Sequence, residues 1–403
     1  MTRARTLLIV GAGPDQLRAI TLAREMGHRV AAIDRNPSAV GASAADVFAP
    51  ISTDDREAAL AFARRVRADG VLTVITETGV PVVSYVAEAL GLPAPSQSTA
   101  RLATNKNDMR RAFAEHGVPT VRSAAVRTLA QAQAFAAQHG LPLVLKPSDA
   151  SGQTGVALIS AHERLQPALA AALRHSTDGV AVLEQFVPGP EVNVCAVAHA
   201  GATEILSMSY RRTLPPPHFG IATRHVYPLA EDARAQDALR EAARAAIRAI
   251  GLAEGVAYPQ LILGPDGPVV IEIAARVPGG YMCELAQLAS GIDMMRVAIL
   301  SALGQPFELE SLRLGPRHAA VEVAFYTALD LPGGSTQLRT LSGVEQAAGM
   351  DGVVKVEFQI RPGDPVPPLT SSRARFGAIV VVGDSPDDAS RRLLQARAAI
   401  LLQ

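Results

Sequence analysis

Leu143-Val144-Leu145-Lys146-Pro147-Ser148-Asp149-Ala150-Ser151-Gly152-Gln153-Thr154-Gly155 is the stretch on which the fold turns. An apolar run ends in Lys146, and a lysine closing a buried strand is unfavourable unless it meets an anion. A second apolar run, Val156–Ile159, follows, so the turn Ser148–Gly155 joins two strands. A P-loop leads instead from a strand into a helix and reads Gly-x-x-x-x-Gly-Lys-Ser/Thr. Neither condition is met here, which excludes a P-loop at this position. A plain hairpin turn would be shorter and poorer in Ser, Gln and Thr. Ser151, Gly152, Gln153 and Gly155 suit a mobile flap over a polyphosphate, because glycine lets backbone N–H groups approach oxygen.

Outward from this stretch, residues 6–100 alternate short apolar strands with helical patterns, which implies parallel β-α-β units. The expected strands are Leu7–Val10, Val30–Ile33 and Val71–Thr76, and the expected helices are Gln16–Met26, Glu57–Arg67 and Pro81–Leu90. Pro93–Ser98 breaks the pattern. A helix over Asn107–His116 closes at Gly117. The reading divides the chain into an N-terminal Rossmann-like unit (1–102), a linker helix (103–120), a small lid (121–190) and a large C-terminal unit (191–403). In that last unit, Asp232–Ile250 reads as a solvated helix and Ser385–Leu402 as a final helix with an Asp/Ser cap. Leu214–Gly220, with three consecutive prolines, can only be a loop. The expected class is a mixed α/β and α+β multidomain protein.

At 403 residues with 48% hydrophobic and 19% charged residues, the chain can bury several cores. Lys+Arg and Asp+Glu balance at 38 each, which argues against a nucleic-acid binder. Two cysteines, Cys195 and Cys283, are too few for a disulfide framework and fit a reducing, cytoplasmic setting. No apolar run approaches the roughly 20 residues of a membrane span. The N-terminal Met1–Val10 has too short an apolar run for a signal peptide and no cleavage site, so it reads as a first strand.

Other positions carry chemistry of their own. Lys106 lies at a helix start, where a lone lysine is ordinarily a solvated charge; its interest comes from its neighbours along the chain. Glu184 and Glu191 flank Gln185-Phe186-Val187-Pro188-Gly189, either as surface glutamates around a turn or as ligand contacts. Gln260 and Glu272 lie on two strands joined by Gly264-Pro265-Asp266-Gly267, and a hairpin of that length brings their side chains to one face. Magnesium favours such a small set of hard oxygen ligands. Arg276 follows Glu272 by one helical turn's worth of sequence. Arg211, Arg212, Arg224 and His225 flank the proline-rich loop and are candidates for substrate carboxylates, with a solvated basic loop as the alternative. Cys283 has no identifiable base beside it, so a nucleophilic role is disfavoured. Gly11-Ala12-Gly13-Pro14-Asp15-Gln16, with Asp34 further on, partly matches a dinucleotide fingerprint, but Gln16 replaces the third glycine.

In order and spacing, the whole set resembles the ATP-grasp superfamily of carboxylate–amine ligases. Gly279-Gly280…Gly291-Ile292-Asp293 and Ser371…Arg375-Phe376-Gly377 are similar to its L-amino-acid ligase branch. The resemblance implies an ATP-grasp fold and ATP bound by Lys106, Lys146, the flap (Ser151, Gly152, Gln153, Gly155) and the hinge Glu184–Glu191. Glu184 would accept from the adenine amino group, Phe186–Val187 backbone would meet the ring edge, and Glu191 would take the ribose hydroxyls. It further implies Mg2+ (or Mn2+) on Gln260 and Glu272, and Arg276 on the transferred phosphoryl group. Arg211, Arg224, Gly279 and Gly280 become substrate contacts. The implied reaction joins a carboxylate to an amine through an acyl phosphate, releasing ADP and phosphate. The implied partners are small molecules, with no nucleic acid or membrane, in a cytoplasmic enzyme compatible with a homodimer. The family pattern Glu-x-Asn-x-Arg is broken at Ala274, which cannot ligate a metal. That opens a weakened metal site or an impaired nucleotide-binding relative; bicarbonate or formate in place of an amino acid is a further alternative within the fold.

Overall fold

The computed structural model of the protein describes residues 4–403; Met1–Arg3, at the head of the segment read as a first strand, lie outside them. Near the N-terminus, four parallel strands run in the order Val47–Ala49, Arg29–Ile33, Thr6–Val10, Gly70–Leu72. Their apolar runs are buried on both faces, as βαβ crossovers require. The strand expected to reach Thr76 stops at Leu72. Beyond it the chain leaves the sheet, and Val74 bridges Val277 while the Ile75 N–H donates to the Val277 carbonyl at 3.0 Å.

The expected single linker helix is two helices, Gln97–Thr104 and Lys106–Glu115. They meet at Asn105, which leaves the helical region and caps the second helix by accepting from Asn107 and Asp108 N–H. The lid is an antiparallel sheet in the order Ser123–Val126, Ala181–Gln185, Leu143–Pro147, Ala157–Ile159. Its last two strands form the hairpin that carries the flap at its turn.

The largest element is an eight-stranded antiparallel sheet. Its order is Gly267–Ala274, Gly255–Gly264, Glu191–His199, Ala202–Thr213, Ala222–Tyr227, Ala320–Tyr326, Gly377–Gly383, Val353–Phe358. Helices Met282–Ser290 and Met294–Ala302 lie between this sheet and the N-terminal sheet. Met282, Leu285, Val297 and Ile299 share one buried cluster with Leu7, Ile9, Val321 and Val380. Burial of such side chains contributes about 1.5–3 kcal/mol each, which ties the two sheets together.

Helix Ala233–Ala249 is not the solvated helix expected from its Ala/Arg composition. Leu239, Ala242, Ala243, Ala246 and Ile247 recur at helical spacing and pack with Val192, Val194, Leu261 and Ile273. The arginines occupy its other face. The terminal helix is shorter than expected: it spans Pro386–Ala399, with Ser385 accepting from Asp388 N–H, and Leu401–Leu402 pairs with Leu341–Ser342 as strand.

Candidate active site

A cleft of about 1170 Å³ opens between the lid, the large sheet and the N-terminal unit. That exceeds a pocket for one small ligand and gives room for several. Lys106, Lys146, Ser151, Gly152 and Gln153 of the flap, Glu184–Val187, Glu191, Gln260, Glu272, Arg276, Gly279 and Gly280 line it, whereas Gly155 sits back against Pro147 and His175.

At the lid end, Lys106, Lys146 and Glu184 are almost wholly buried, 6%, 8% and 2% exposed. Lys146 Nζ lies 2.6 Å from Glu184 Oε2, while Arg110 Nε and Nη2 approach Glu184 Oε1 at 2.9 and 2.7 Å. Burial alone would raise the Glu184 carboxyl, but Arg110 and then Lys146 outweigh it and hold the group below its ordinary range. Burial and the Arg110 charge pull Lys146 down. Both oxygens of Glu184, expected to meet an adenine amino group, are thus already engaged by cations of the protein itself. The Phe186 N–H is also taken, by the Pro142 carbonyl at 3.3 Å, whereas Val187 has no such partner among the described residues. Arg110 escaped sequence reading, although its position one turn after Lys106 on the same helix was the available signal.

Strands Gly255–Gly264 and Gly267–Ala274 set Gln260 directly opposite Glu272. Glu272 lies 3.6 Å from Lys106 Nζ. Burial pushes its carboxyl up, but Lys106, Lys146, Arg110 and Arg276 together bring it below its ordinary value. Gln260 lines the cleft, and its Nε2 donates to the Tyr258 hydroxyl at 3.2 Å, while no hydrogen bond engages its Oε1 among the described residues. The donor set is one ionised carboxylate and one amide oxygen, and no cluster of three or more His, Cys, Asp or Glu side chains occurs among the described residues. This fits magnesium, which keeps waters and draws its other ligands from phosphate. Ala274 faces Tyr258 across the hairpin, so the missing ligand position is backed by a phenol ring.

The hydrogen bonds continue inward. The Tyr258 hydroxyl donates to Asn193 Oδ1 at 2.7 Å, and Asn193 Nδ2 donates to His225 Nδ1 at 3.0 Å. With the Asn193 amide assigned in this orientation, His225 Nδ1 accepts and the ring proton lies on Nε2. Burial, then Arg375 and Arg211, hold it well below the usual histidine value, so it is neutral.

The two arginines expected at a substrate carboxylate part company in the structure. Strand alternation pairs Arg211 with His225 and Arg224 with Arg212, so the two pairs face opposite sides of the sheet. Arg224 points away from the cleft onto Glu322. Arg211 lines the cleft but is engaged by Glu191 and donates to the Gly220 carbonyl at 2.7 Å, holding the proline-rich loop. Glu191 also accepts from Thr213 at 3.2 Å, so the oxygens expected to meet a ribose are already partnered. Arg276 pairs with Glu77 of the N-terminal unit, and its buried Nε has no partner among the described residues. Glu77 lacked any sequence signal.

Burial pushes Cys195 up to about 12 and Cys283 well above its usual value, which removes both as nucleophiles. The Gly11–Gln16 turn is filled by the protein itself. Gln16 accepts from Gly13 N–H and donates to the Val74 carbonyl, and Asp34 accepts from Ala12 and Asn36 N–H. The acid of a dinucleotide site is thereby consumed.

A family model of the carbamoyl-phosphate synthase L chain ATP-binding domain matches residues 105–310, just over half of the chain. A second, L-amino acid ligase C-terminal domain 2, matches residues 332–403. The uncharacterized protein y4rH of Sinorhizobium fredii (strain NBRC 101917 / NGR234) is 28% identical over 329 residues, covering 81% of this chain and 66% of its own length. Carnosine synthase 1 of Gallus gallus is 27% identical over 346 residues, 79% of this chain but only 37% of that protein. Among solved structures, an L-amino acid ligase from Bacillus licheniformis superposes with a TM-score of 0.85 at 23% identity, covering 100% of this chain and 99% of that one.

Proposed function

The chain belongs to the family of the carbamoyl-phosphate synthase L chain ATP-binding domain, within the ATP-grasp ligases, and from that premise we propose an ADP-forming ligase that joins an amino-acid carboxylate to an amine. The observation that carries the amino-acid reading is the C-terminal segment. Residues 332–403 resemble the L-amino acid ligase C-terminal domain, and from this segment the loop at Ser372–Arg375 reaches the cleft.

On this reading Lys106 and Lys146 neutralise phosphate charge and the flap's backbone N–H groups close over it. Glu272 and Gln260 Oε1 would hold Mg2+, which supplies charge neutralisation on the phosphates. The carboxylate oxygen attacks the γ-phosphorus, ADP leaves, and Arg276 stabilises the negative charge that develops. The amine then attacks the acyl carbon, inorganic phosphate departs with the bonding electrons, and the amine loses a proton. A cytoplasmic site of action and the division at residues 102, 120 and 190 belong to the same proposal.

The test is a screen of amino-acid pairs for phosphate release, with mass spectrometry of the product and chromatography of the spent nucleotide. ADP with a condensed amide is expected. AMP as the main nucleotide product would overturn the mechanism, and label from bicarbonate or formate in the product would move the enzyme to the carboxylase or formyl-transfer reading.

A further inference from the structure

Two of the charged groups on the cleft wall, Glu272 and Arg375, stand in different surroundings. Glu272 is surrounded by Lys106, Lys146, Arg110 and Arg276. Arg375 stands elsewhere on the cleft wall, among charged and phenolic groups that include Arg211, Tyr258, Tyr281 and Asp15. Among the described residues no carboxylate forms an ion pair with Arg375. Its Nε donates to the Ser372 carbonyl at 2.9 Å, and its guanidinium lies 3.9 Å from the centre of the Phe325 ring. The two terminal nitrogens remain. They converge with His225 Nε2 on one bare backbone position: a Cβ added at Gly280 would sit 3.3 Å from Arg375 Nη2, 3.6 Å from Nη1 and 3.7 Å from His225 Nε2. Three N–H-bearing nitrogens thus gather beside Gly280, which has φ +65° and no side chain to cover them, on the wall of the cleft. A flat, two-oxygen anion suits this fork, with the Phe325 ring covering the guanidinium face.

We propose that Arg375 Nη1 and Nη2, with His225 Nε2–H, form a carboxylate site distinct from the phosphate-facing group, and that it holds the free carboxylate of an amino acid serving as the amine substrate. This rests on the ligase reading above. Ser372 ties the site to the flap, because its N–H donates to the Gly152 carbonyl at 2.9 Å while its carbonyl receives Arg375 Nε. A single residue, Ser372, therefore bridges the flap and Arg375.

The experiment compares a free amino acid with its amide as the amine substrate. In the unmutated protein, ATP, an amino acid and hydroxylamine first report whether an acyl hydroxamate forms, which tests carboxylate activation without any acceptor carboxylate. The unmutated protein should favour the free acid. Arg375→Gln should raise KM for the free acid about ten- to hundredfold, the loss of a charge-assisted pair, with little change for the amide. Arg375→Lys should recover part of the preference. Should Arg375→Gln fail to fold, Gly280→Ala addresses the same opening, since its methyl group would enter the space bordered by the three nitrogens. Hydroxamate formation with an unchanged acid-over-amide preference in both variants would overturn this site while leaving the ligase reading standing. No preference in the unmutated protein, or a phosphorylated amine outcompeting the amino acid, would overturn it as well. Absence of hydroxamate with every amino acid would remove the ligase reading, and this site with it.

Discussion

At the residue scale, Glu272 and Gln260 are the proposed magnesium ligands. Glu272 is kept ionised by cations around it, and Gln260 is oriented by the Tyr258 hydroxyl, so their contributions are unequal. Glu272→Gln is expected to lower turnover by about a hundredfold or more, because it removes the one ionised ligand. Gln260→Ala should mainly raise the magnesium concentration needed for half-maximal rate. Ala274→Asn would restore the family's missing oxygen, but Ala274 is buried opposite Tyr258, so the added side chain should crowd the ring and lower activity instead. Turnover against magnesium concentration for the three variants decides it. An active Glu272→Gln enzyme with unaltered magnesium dependence would show that this hairpin is not the metal site.

At the scale of elements, the flap is governed by its anchorage. Gly152, Gln153 and Gly155 all have left-handed φ, and a Cβ at Gly155 would meet Pro147 Cγ at 3.0 Å. Below the flap, Asp178 accepts from Ser148 and Ser176 at 2.7 Å each, from Val180 N–H at 2.9 Å and from Asn105 at 3.1 Å. It thus joins the flap's root to the cap of the helix that starts at Lys106. Partial burial raises the Asp178 carboxyl, but the hydrogen bonds from Ser148, Ser176, Val180 and Asn105 outweigh it and set it below its ordinary value of 3.8. A carboxyl lowered in the folded state stabilises fully above its unfolded pKa, and that share is lost as pH falls through the folded value. Asp178→Asn is therefore expected to reduce stability by about 1 kcal/mol at neutral pH and to flatten the decline below pH 4. Thermal melts from about pH 3 to 7 check this; an unchanged acid slope would mean that Asp178 is not a significant anchor.

For the whole molecule, the decisive contact joins the N-terminal unit to the large sheet. Arg276 is held by Glu77, 199 residues away in sequence, and both side chains are largely buried. Arg18 adds a second link to Asp293 at 2.9 Å. Glu77→Gln keeps the shape but removes the charge that fixes Arg276. We expect kcat to fall about tenfold while ATP affinity, which the proposal assigns to the lid, stays near its original value. Calorimetric titration of ATP beside steady-state kinetics separates the two. A loss of ATP affinity equal to the loss in kcat would mean that Arg276 serves nucleotide binding rather than the reacting phosphoryl group.

The sequence by itself determined the elements and the chemistry of single strand ends. Apolar runs of period two and helical stripes marked most strands and helices, because local burial patterns are written in consecutive residues. A charge closing the apolar run at Lys146 and the hairpin joining Gln260 to Glu272 were legible for the same reason. Where composition stood in for pattern, as in Ala233–Ala249, the buried stripe was overlooked. Tertiary structure alone decided the partners. Arg110 meets Glu184 across 74 residues, and Arg276 meets Glu77 across 199. Arg211 and Arg224 look alike in sequence, yet opposite strand faces send one to the cleft and the other to Glu322. Charge pairing depends on distance in space, and that is set only when separate sheets pack through a shared core.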